Sequence, residues 1–434
     1  MEAVPVRRSM PPADAGDRAG DEGDVPELVA RIRGEISRGG PITFARFMEI
    51  ALYDPEFGYY RTRAERPGRG GDFLTAPETH PIFGQAIARQ IEQLWDLLER
   101  PSPFALIEYG AGSGALAHSM LSELERPGGP MVGSVRYDAI EINRHRRAAL
   151  AERLAAAGLA RLGPRRVIDP AGAPAPIDRP TSAGDPTGTG EPAQTGDPPA
   201  EAGCVIANEF LDALPVHRVQ WRDGQLQELL VEQAGDGFVD RPTAPSTPAL
   251  AVHLAEEGVG LAEGQQAEVC LGIDGWFDEL SRRLRSGYVI VIDYGRPATE
   301  LYSESRFAGT VMGYFRHRAI EDPYRHVGRQ DLTAHVDFTA VELAARRHGF
   351  EPLGLTTQAE FLIGAGGEEL LERVRSNPGT ELAAWVELRS ALVRMLDPRA
   401  MGRFRVLILA RNAPTDTVPR GLAYRMAAGT SAQV

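Results

Sequence analysis

A glycine-rich turn between a buried strand and a helix is the feature that most narrows what this chain can fold into. The apolar run that begins at Phe104 stops at Glu108, and Gly110, Gly112 and Gly114 follow before helical spacing resumes. Glycine permits a sharp turn and the close approach of a ligand, while the N-terminus of the next helix offers free N–H groups. The motif alone also fits a purely structural turn, so its neighbours decide its meaning.

Strands and helices alternate after this turn, which predicts a parallel α/β sheet. Further strands are predicted at residues 135–142, 167–168, 204–208, 288–293 and 404–410. The alternation from Arg218 to Val231 around Asp223–Gly224 predicts a β-hairpin. No regular element is predicted from 296 to about 337, and helical spacing is predicted over 368–395.

Composition separates segments that are predicted to be disordered from those that are predicted to fold. Residues 1–24 lack the apolar core of a signal peptide, so a disordered tail and a cytoplasmic protein are predicted. Residues 170–203 contain 8 prolines and 6 glycines and are predicted to be a disordered insertion. The remaining predicted units are an N-terminal helical subdomain (25–100), a main domain (101–412) with a substrate-side insertion (216–275), and a C-terminal tail (413–434).

Charge and cysteine usage exclude several function classes. All 47 basic residues are arginine, which excludes a lysine Schiff base and a phosphate-binding lysine. With 60 acidic residues the net charge is −13 and no long basic run occurs, so neither nucleic acid nor an anionic membrane is expected as a partner. Cys204 and Cys270 lack a paired spacing, and no metal site is predicted.

Acidic residues beside the turn favour one ligand over another. The glycines and Ala115 also satisfy the dinucleotide fingerprint, so an NAD-dependent dehydrogenase is an alternative. Glu108, however, would face a pyrophosphate there, whereas S-adenosyl-L-methionine (SAM) has no phosphate and carries an amino group and a sulfonium. Glu141 ends the second strand, where a carboxylate accepts ribose hydroxyl groups. SAM is therefore the predicted cofactor, and Asp169 is a candidate for contacting its adenine.

Three polar residues follow the fourth strand among apolar neighbours: Asn208, Glu209 and Asp212. Chemistry in an open α/β sheet lies beyond the carboxyl ends of the strands, and buried polar groups are costly unless they bind something. Each residue alone could simply cap a turn. Methyl transfer needs positioning of the acceptor. Glu209 and Asp212 would hold a guanidinium, and Asn208 would orient an amine or the methionine moiety.

These motifs resemble those of the MidA-like family of class I SAM-dependent methyltransferases, a family that includes an arginine methyltransferase of mitochondrial complex I assembly. The matching segments, which span about residues 26 to 412, are 42–48, 53–60, 71–78 with Phe83-Gly84, 108–114, 207–216, 292–295, Gly309-Thr310 and 331–338.

The resemblance implies an α/β fold with a Rossmann-like seven-stranded class I methyltransferase sheet, an N-terminal helical subdomain and insertions over the cleft. It also implies that Thr75, Pro77 and Glu78 help to close the SAM pocket. Cleft residues carried over by the same motifs are Asp293 and His335, as catalytic candidates, and Asp337.

The resemblance also implies a function. A SAM-dependent methyltransferase is predicted, acting on an arginine or another amine nitrogen of a protein. The alternatives are a peptide or small-molecule N- or O-methyltransferase and an assembly factor that binds SAM as a structural ligand. The expected partner is the methyl acceptor, a protein, peptide or small molecule, with no nucleic acid and no membrane and with a homodimer as an option.

Overall fold

The computed structural model of the protein describes residues 23–62, 75–162, 167–168, 202–376 and 382–426. The helices over these residues are α1 (Pro26–Gly39), α2 (Phe44–Tyr53), α3 (Tyr59–Thr62), α4 (Ala76–Thr79), α5 (Ile82–Leu97), α6 (Ala115–Leu124), α7 (Arg144–Ala156), α8 (Ala249–Glu256), α9 (Gly272–Arg283), α10 (Ala298–Leu301), α11 (Phe338–Arg347), α12 (Gln358–Gly364), α13 (Gly367–Arg375), α14 (Leu382–Leu396) and α15 (Arg420–Ala423). The strands are β1 (Phe104–Tyr109), β2 (Val135–Ile140), β3 (Val167–Ile168), β4 (Gly203–Asn208), β5 (His217–Arg222), β6 (Gln225–Ala234), β7 (Gly237–Thr243), β8 (Gln266–Val269), β9 (Gly287–Asp293), β10 (Gly295–Arg296), β11 (Met312–Phe315), β12 (Arg318–Ile320), β13 (Asp331–Thr333), β14 (Val336–Asp337), β15 (Glu351–Thr357) and β16 (Arg405–Arg411).

A seven-stranded sheet forms the centre of the fold, in the order β15-β16-β9-β4-β1-β2-β3. The strands from β9 to β3 are parallel, β16 runs antiparallel to β9, and β15 runs antiparallel to β16. The predicted Rossmann-like sheet of seven strands is therefore confirmed. The chain moves outward from β1 to β3 and then returns to β4, so a ligand crevice is expected beyond the carboxyl ends of β1 and β4.

A four-stranded antiparallel sheet, in the order β7-β6-β5-β8, lies in the part predicted as an insertion. The predicted hairpin is confirmed, since β5 and β6 join at Asp223 and Gly224, whose φ angles are 52° and 74°. Phe47 of α2 packs with Val231 and Phe238 of this sheet. Helix α5, in contrast, packs into the core of the central sheet. The helices predicted as one N-terminal subdomain thus belong to two different cores.

Other sequence predictions need correction. The stretch predicted to be irregular (296–337) contains α10, β10 to β14 and a three-stranded antiparallel sheet in the order β12-β11-β13. The predicted C-terminal tail packs against the core as far as it is described, since Leu422 is 5% exposed and the Gly421 N–H donates a hydrogen bond to Gln90 Oε1 at 2.7 Å.

Several predicted segments fall largely outside the described residues. They are the N-terminal tail up to residue 22 and the insertion from 170 to 201. The helical spacing predicted from 368 to 395 corresponds to α13 and α14, with 377–381 lying outside the description. Within the ranges that the structure describes, no helix combines the length and apolar character needed to cross a membrane.

Candidate active site

The parallel strands of the central sheet end along one edge and bring their loops together. Tyr109 at the end of β1 pairs in register with Ile140 of β2, and Asn208 at the end of β4 pairs with Ile292 of β9. The glycine turn, the acidic residue after β2 and the polar segment after β4 therefore share one end of the sheet. This is the edge at which open α/β sheets bind their ligands.

The glycine turn requires its glycines for conformation and for space. Gly110, Gly112 and Gly114 have φ angles of 67°, 58° and 79°, in the left-handed region that glycine enters without strain. A Cβ atom on Gly114 would lie 2.3 Å from Leu150 Cδ1 of α7. Helix α6 begins directly after the turn, so its first N–H groups face the crevice.

Glu141 is fixed against this turn. Its side chain is buried, its Oε2 accepts a hydrogen bond from the Gly112 N–H at 2.8 Å, and its Oε1 accepts one from the Asn143 N–H at 2.8 Å. Each carboxylate oxygen has a second lone pair, so both oxygens could still accept a hydroxyl group. The sequence predicted this residue at the cofactor ribose, and the structure places it beside the glycine turn.

Glu108 lies on the other side of the turn. It is buried, and its Oε2 accepts a hydrogen bond from the Tyr137 hydroxyl of β2 at 2.6 Å. Burial, and then the charge of Glu108, raise the pKa of Tyr137 well above its usual value, so the tyrosine keeps its proton and acts as the donor. Glu108 shares a sheet face with Leu106, which packs in one core with residues of α5 and α6.

The loop predicted to close the pocket is partly described. Thr75 is buried immediately before α4, and its carbonyl oxygen accepts hydrogen bonds from the Glu78 N–H and the Thr79 N–H at 3.2 Å each. Pro77 stands in the first turn of α4, which contacts α5 and α6. Thr75, Pro77 and Glu78 therefore lie beside the helix that follows the glycine turn. The remaining cofactor candidate, Asp169, lies outside the described residues.

Strand β4 ends at Asn208, and the next residue, Glu209, has a strained backbone. Glu209 has a φ angle of 49°, a left-handed conformation that costs a non-glycine residue on the order of 1 kcal/mol or more. Its N–H donates to the Ile292 carbonyl oxygen at 2.8 Å, which holds it there. Asn208 Nδ2 donates to Glu209 Oε1 at 3.2 Å. Among the described residues, Asn208 Oδ1 is buried and has no hydrogen-bond partner.

The carboxylate of Asp293 accepts hydrogen bonds from the backbone of the segment after β4. Its Oδ1 accepts the N–H of Tyr294 at 2.9 Å. Its Oδ2 accepts three successive N–H groups, those of Phe210 (3.1 Å), Leu211 (2.9 Å) and Asp212 (3.3 Å). Burial, and then the charges of Asp212 and Glu209, raise the pKa of Asp293 well above its usual value. The sequence predicted a catalytic role, which stays a prediction, and the contacts of Asp293 hold the backbone of the loop that carries Asp212.

His335 packs at the edge of the same region. Its ring meets the Tyr294 ring edge-on with the ring centroids 5.5 Å apart, and the backbone N–H of His335 donates to Thr310 Oγ1 at 3.1 Å. Burial, and then the positive charges of Arg306 and Arg403, lower the pKa of His335 to about 4. The imidazole is therefore neutral near pH 7, so it can accept a hydrogen bond but adds no charge.

The structure adds three residues that the sequence reasoning did not assign. The Tyr60 hydroxyl donates to Asp331 Oδ1 at 2.6 Å, and the Tyr53 hydroxyl donates to the Ala213 carbonyl oxygen at 2.7 Å. Burial, followed by the charges of Asp331 and Asp212 among others, raises the pKa of both tyrosines well above the usual value. Tyr53, Tyr60 and Asp331 occur in motifs that carry the family resemblance, which is the signal that could have identified them.

Comparisons with known proteins agree with this architecture. A family model for S-adenosyl-L-methionine-dependent methyltransferases matches residues 86–356. The mitochondrial protein arginine methyltransferase NDUFAF7 homolog of Drosophila melanogaster is 30% identical, over 88% of this chain and 84% of its own, and NDUFAF7 of Homo sapiens is 29% identical, over 89% and 84%. A crystal structure from Burkholderia thailandensis with S-adenosyl-homocysteine bound superposes with a TM-score of 0.77 at 30% identity, over 92% of this chain and 95% of that one.

SAM fits the residues present at the crevice. The glycine turn leaves the α6 N-terminus open to a ligand, and Glu141 stands where two neighbouring hydroxyl groups can donate to it. Asn208 Oδ1 is a buried acceptor that, among the described residues, lacks a donor, and the SAM amino group is a donor of the kind it needs. Glu141 and Asn208 would hold the cofactor.

The comparisons also correct one prediction. A cytoplasmic location was predicted from the sequence, but the curated relatives from Drosophila melanogaster, Mus musculus, Homo sapiens and Bos taurus are all named as mitochondrial proteins. The cytoplasmic prediction is therefore wrong.

The sheet, the glycine turn and the aligned relatives together identify the family of this chain. The central sheet has the predicted seven strands, Glu141 is hydrogen-bonded to the glycine turn at the carboxyl end of the sheet, and relatives align along most of the chain. An NAD-dependent dehydrogenase is not supported, because the matched family and the bound ligand of the superposed structure both indicate SAM. The chain belongs to the MidA-like family of class I SAM-dependent methyltransferases.

Proposed function

We propose that the chain transfers a methyl group from SAM to a guanidinium nitrogen of an arginine in a protein substrate. The observation that carries this proposal is the gathering of Glu209, Asp212 and Asp293 in one buried region. Their side chains are close enough that the charges of Asp212 and Glu209 raise the pKa of Asp293. A cationic group that enters between Glu209 and Asp212 relieves this repulsion, and a planar guanidinium can donate to two carboxylates at once.

Methyl transfer requires the acceptor nitrogen to be aligned with the methyl carbon and the charge of the guanidinium to be stabilised. SAM, when bound, supplies an electrophilic methyl carbon. A nitrogen–carbon bond forms as the carbon–sulfur bond breaks, and the nitrogen releases one proton. Glu209 and Asp212 would fix the plane of the guanidinium by hydrogen bonds and stabilise its charge, and a carboxylate would receive the released proton. Asp293 contributes by holding the N–H groups of the loop that carries Asp212.

Aromatic residues complete the acceptor side of the proposed site. Tyr53 and Tyr60 have ring centroids 5.5 Å apart, and the hydroxyl of Tyr60 is anchored to Asp331. Tyr294 lies by Asp212, whose charge adds to burial in raising the tyrosine pKa. Aromatic rings pack well against a guanidinium plane, which supports an arginine side chain over a smaller amine. The curated relatives are named protein arginine methyltransferases, which is in line with this acceptor.

The proposal predicts the chemical form of the product. The purified chain is incubated with methyl-labelled SAM and with protein extract from cells that lack the chain, and the labelled protein is hydrolysed to amino acids. We expect the label to elute with methylated arginine and to disappear when S-adenosyl-homocysteine is added in excess.

The other outcomes distinguish the alternatives. Label in methylated lysine or in a carboxyl ester would contradict an arginine acceptor. Label confined to peptides or small molecules of a complete cell extract would indicate a biosynthetic methyltransferase. Tight SAM binding without labelling of any extract would indicate an assembly factor that uses SAM as a structural ligand.

A further inference from the structure

A second, largely buried cluster of potential ligand groups is formed by residues other than those of the segment after β4. It consists of His253 on α8, Glu257 at the end of α8, and Asp337, which precedes α11. One ligand atom from each of the three residues lies within 4.8 Å of the other two. His253 and Glu257 are four residues apart and so project from the same side of the helix.

The cluster is buried and its polar atoms are poorly satisfied. The side chain of Glu257 is 1% exposed and that of His253 is 13% exposed. Among the described residues, both carboxylate oxygens of Glu257 and His253 Nε2 have no hydrogen-bond partner, while the Tyr302 hydroxyl lies beside the Asp337 carboxylate. His253 Nε2 approaches Glu257 Oε1 to 3.0 Å without hydrogen-bond geometry. Buried carboxylates in this condition cost several kcal/mol unless a cation compensates them.

Asp337 is oriented for a ligand role by its helix. Its Oδ1 accepts the N–H groups of Thr339 at 2.8 Å and Ala340 at 3.2 Å, which caps α11 and leaves Oδ2 as the oxygen not used by the cap. Glu257 and Asp337 each bring a carboxylate oxygen to within 4.8 Å of the other, and a divalent cation between them would neutralise both charges.

We propose that His253, Glu257 and Asp337 bind a divalent transition-metal ion of the Zn²⁺ type. One imidazole nitrogen and two carboxylates form a donor set that zinc accepts at about 2.0–2.2 Å. Tetrahedral ligands at that distance are roughly 3.4 Å apart, so side-chain shifts of about 1 Å close the site. The ion would join α8, which packs on the four-stranded sheet, to α11, which packs on the central sheet. This inference is independent of the proposed methyl acceptor.

Metal counting tests the site directly. The purified full chain is stripped with EDTA, equilibrated with Zn²⁺, separated from free metal by gel filtration and measured by mass spectrometry. We expect about one zinc per chain for the wild type and less than about 0.2 for His253→Gln and Glu257→Gln. Zinc should also raise the melting temperature of the wild type and leave that of Glu257→Gln unchanged.

A matched variant is available on the same helix. Glu256 is the next residue, its side chain is 51% exposed, and it pairs with Arg347 at 3.1 Å. Glu256→Gln should retain the wild-type zinc content. Binding of S-adenosyl-homocysteine by all three variants verifies that they are folded. A wild type that retains less than about 0.2 zinc, or a Glu257→Gln variant that retains as much zinc as the wild type, would overturn the proposal.

Discussion

Replacing Glu209 with glutamine is expected to lower kcat/KM for methyl transfer by about 10²- to 10³-fold. Glutamine keeps the size of the side chain and can adopt the same left-handed backbone, but it removes the charge that would hold the guanidinium. The affinity for S-adenosyl-homocysteine should stay within about threefold of the wild type, because the lost interaction belongs to the acceptor. Rates on the labelled protein substrate and calorimetric titration of the cofactor product measure the two effects.

The control for this variant is an exposed glutamate on the four-stranded sheet. Glu232 is 39% exposed and forms a surface ion pair with Arg241, so Glu232→Gln should leave both measured quantities unchanged. Asp212→Asn, on the acceptor side of the same loop, should reproduce the loss of transfer. Full activity in Glu209→Gln would show that this carboxylate does not hold the acceptor.

Removing the Glu141 carboxylate is expected to weaken S-adenosyl-homocysteine binding by about 10²-fold. In Glu141→Ala the ribose hydroxyl groups of the ligand lose the carboxylate that would accept their hydrogen bonds. Hydrogen bonds to a charged group are each worth about 1.5–3 kcal/mol. The Gly112 and Asn143 N–H groups also lose their partner, so the turn is less well held. Isothermal titration calorimetry measures the dissociation constant, and thermal melting separates loss of binding from loss of folding.

Two further variants make this result interpretable. Glu141→Gln retains one acceptor oxygen and should weaken binding less than Glu141→Ala does. Glu152→Ala removes an exposed glutamate from α7 and should bind like the wild type. A dissociation constant within about threefold of the wild type for Glu141→Ala would contradict the placement of the ribose at this carboxylate.

Features with a local cause could be predicted from the sequence. The strand before Gly110, the helix after Gly114 and the hairpin at Asp223–Gly224 follow from hydrophobic periodicity and from the backbone freedom of glycine. The positions of Glu141 and Asn208 at one sheet edge follow as well, because parallel strands place their carboxyl ends together. These parts of the site required no knowledge of distant contacts.

Features with a distant cause could not be predicted. Asp293 receives N–H groups from residues 81 to 83 positions earlier, and Tyr60 meets Asp331 across 271 positions. The strand pair β10 and β14 has two residues in each strand, which is too short to show a period. The C-terminal segment was predicted to be a tail, but Leu422 belongs to the core of the central sheet and its helix α15 contacts α5 and α12, which are distant in sequence.

Recognition of a guanidinium by the acids after β4 can be measured without knowing the protein substrate. Two bisubstrate analogues are required, one in which a guanidinium is linked to the adenosyl group in place of the transferred methyl, and one with a neutral urea in its place. We predict that the wild type binds the guanidinium analogue about 10- to 100-fold more tightly by calorimetry, and that Glu209→Gln abolishes most of this difference. Equal affinities of the wild type for the two analogues would contradict an arginine-binding site at Glu209 and Asp212.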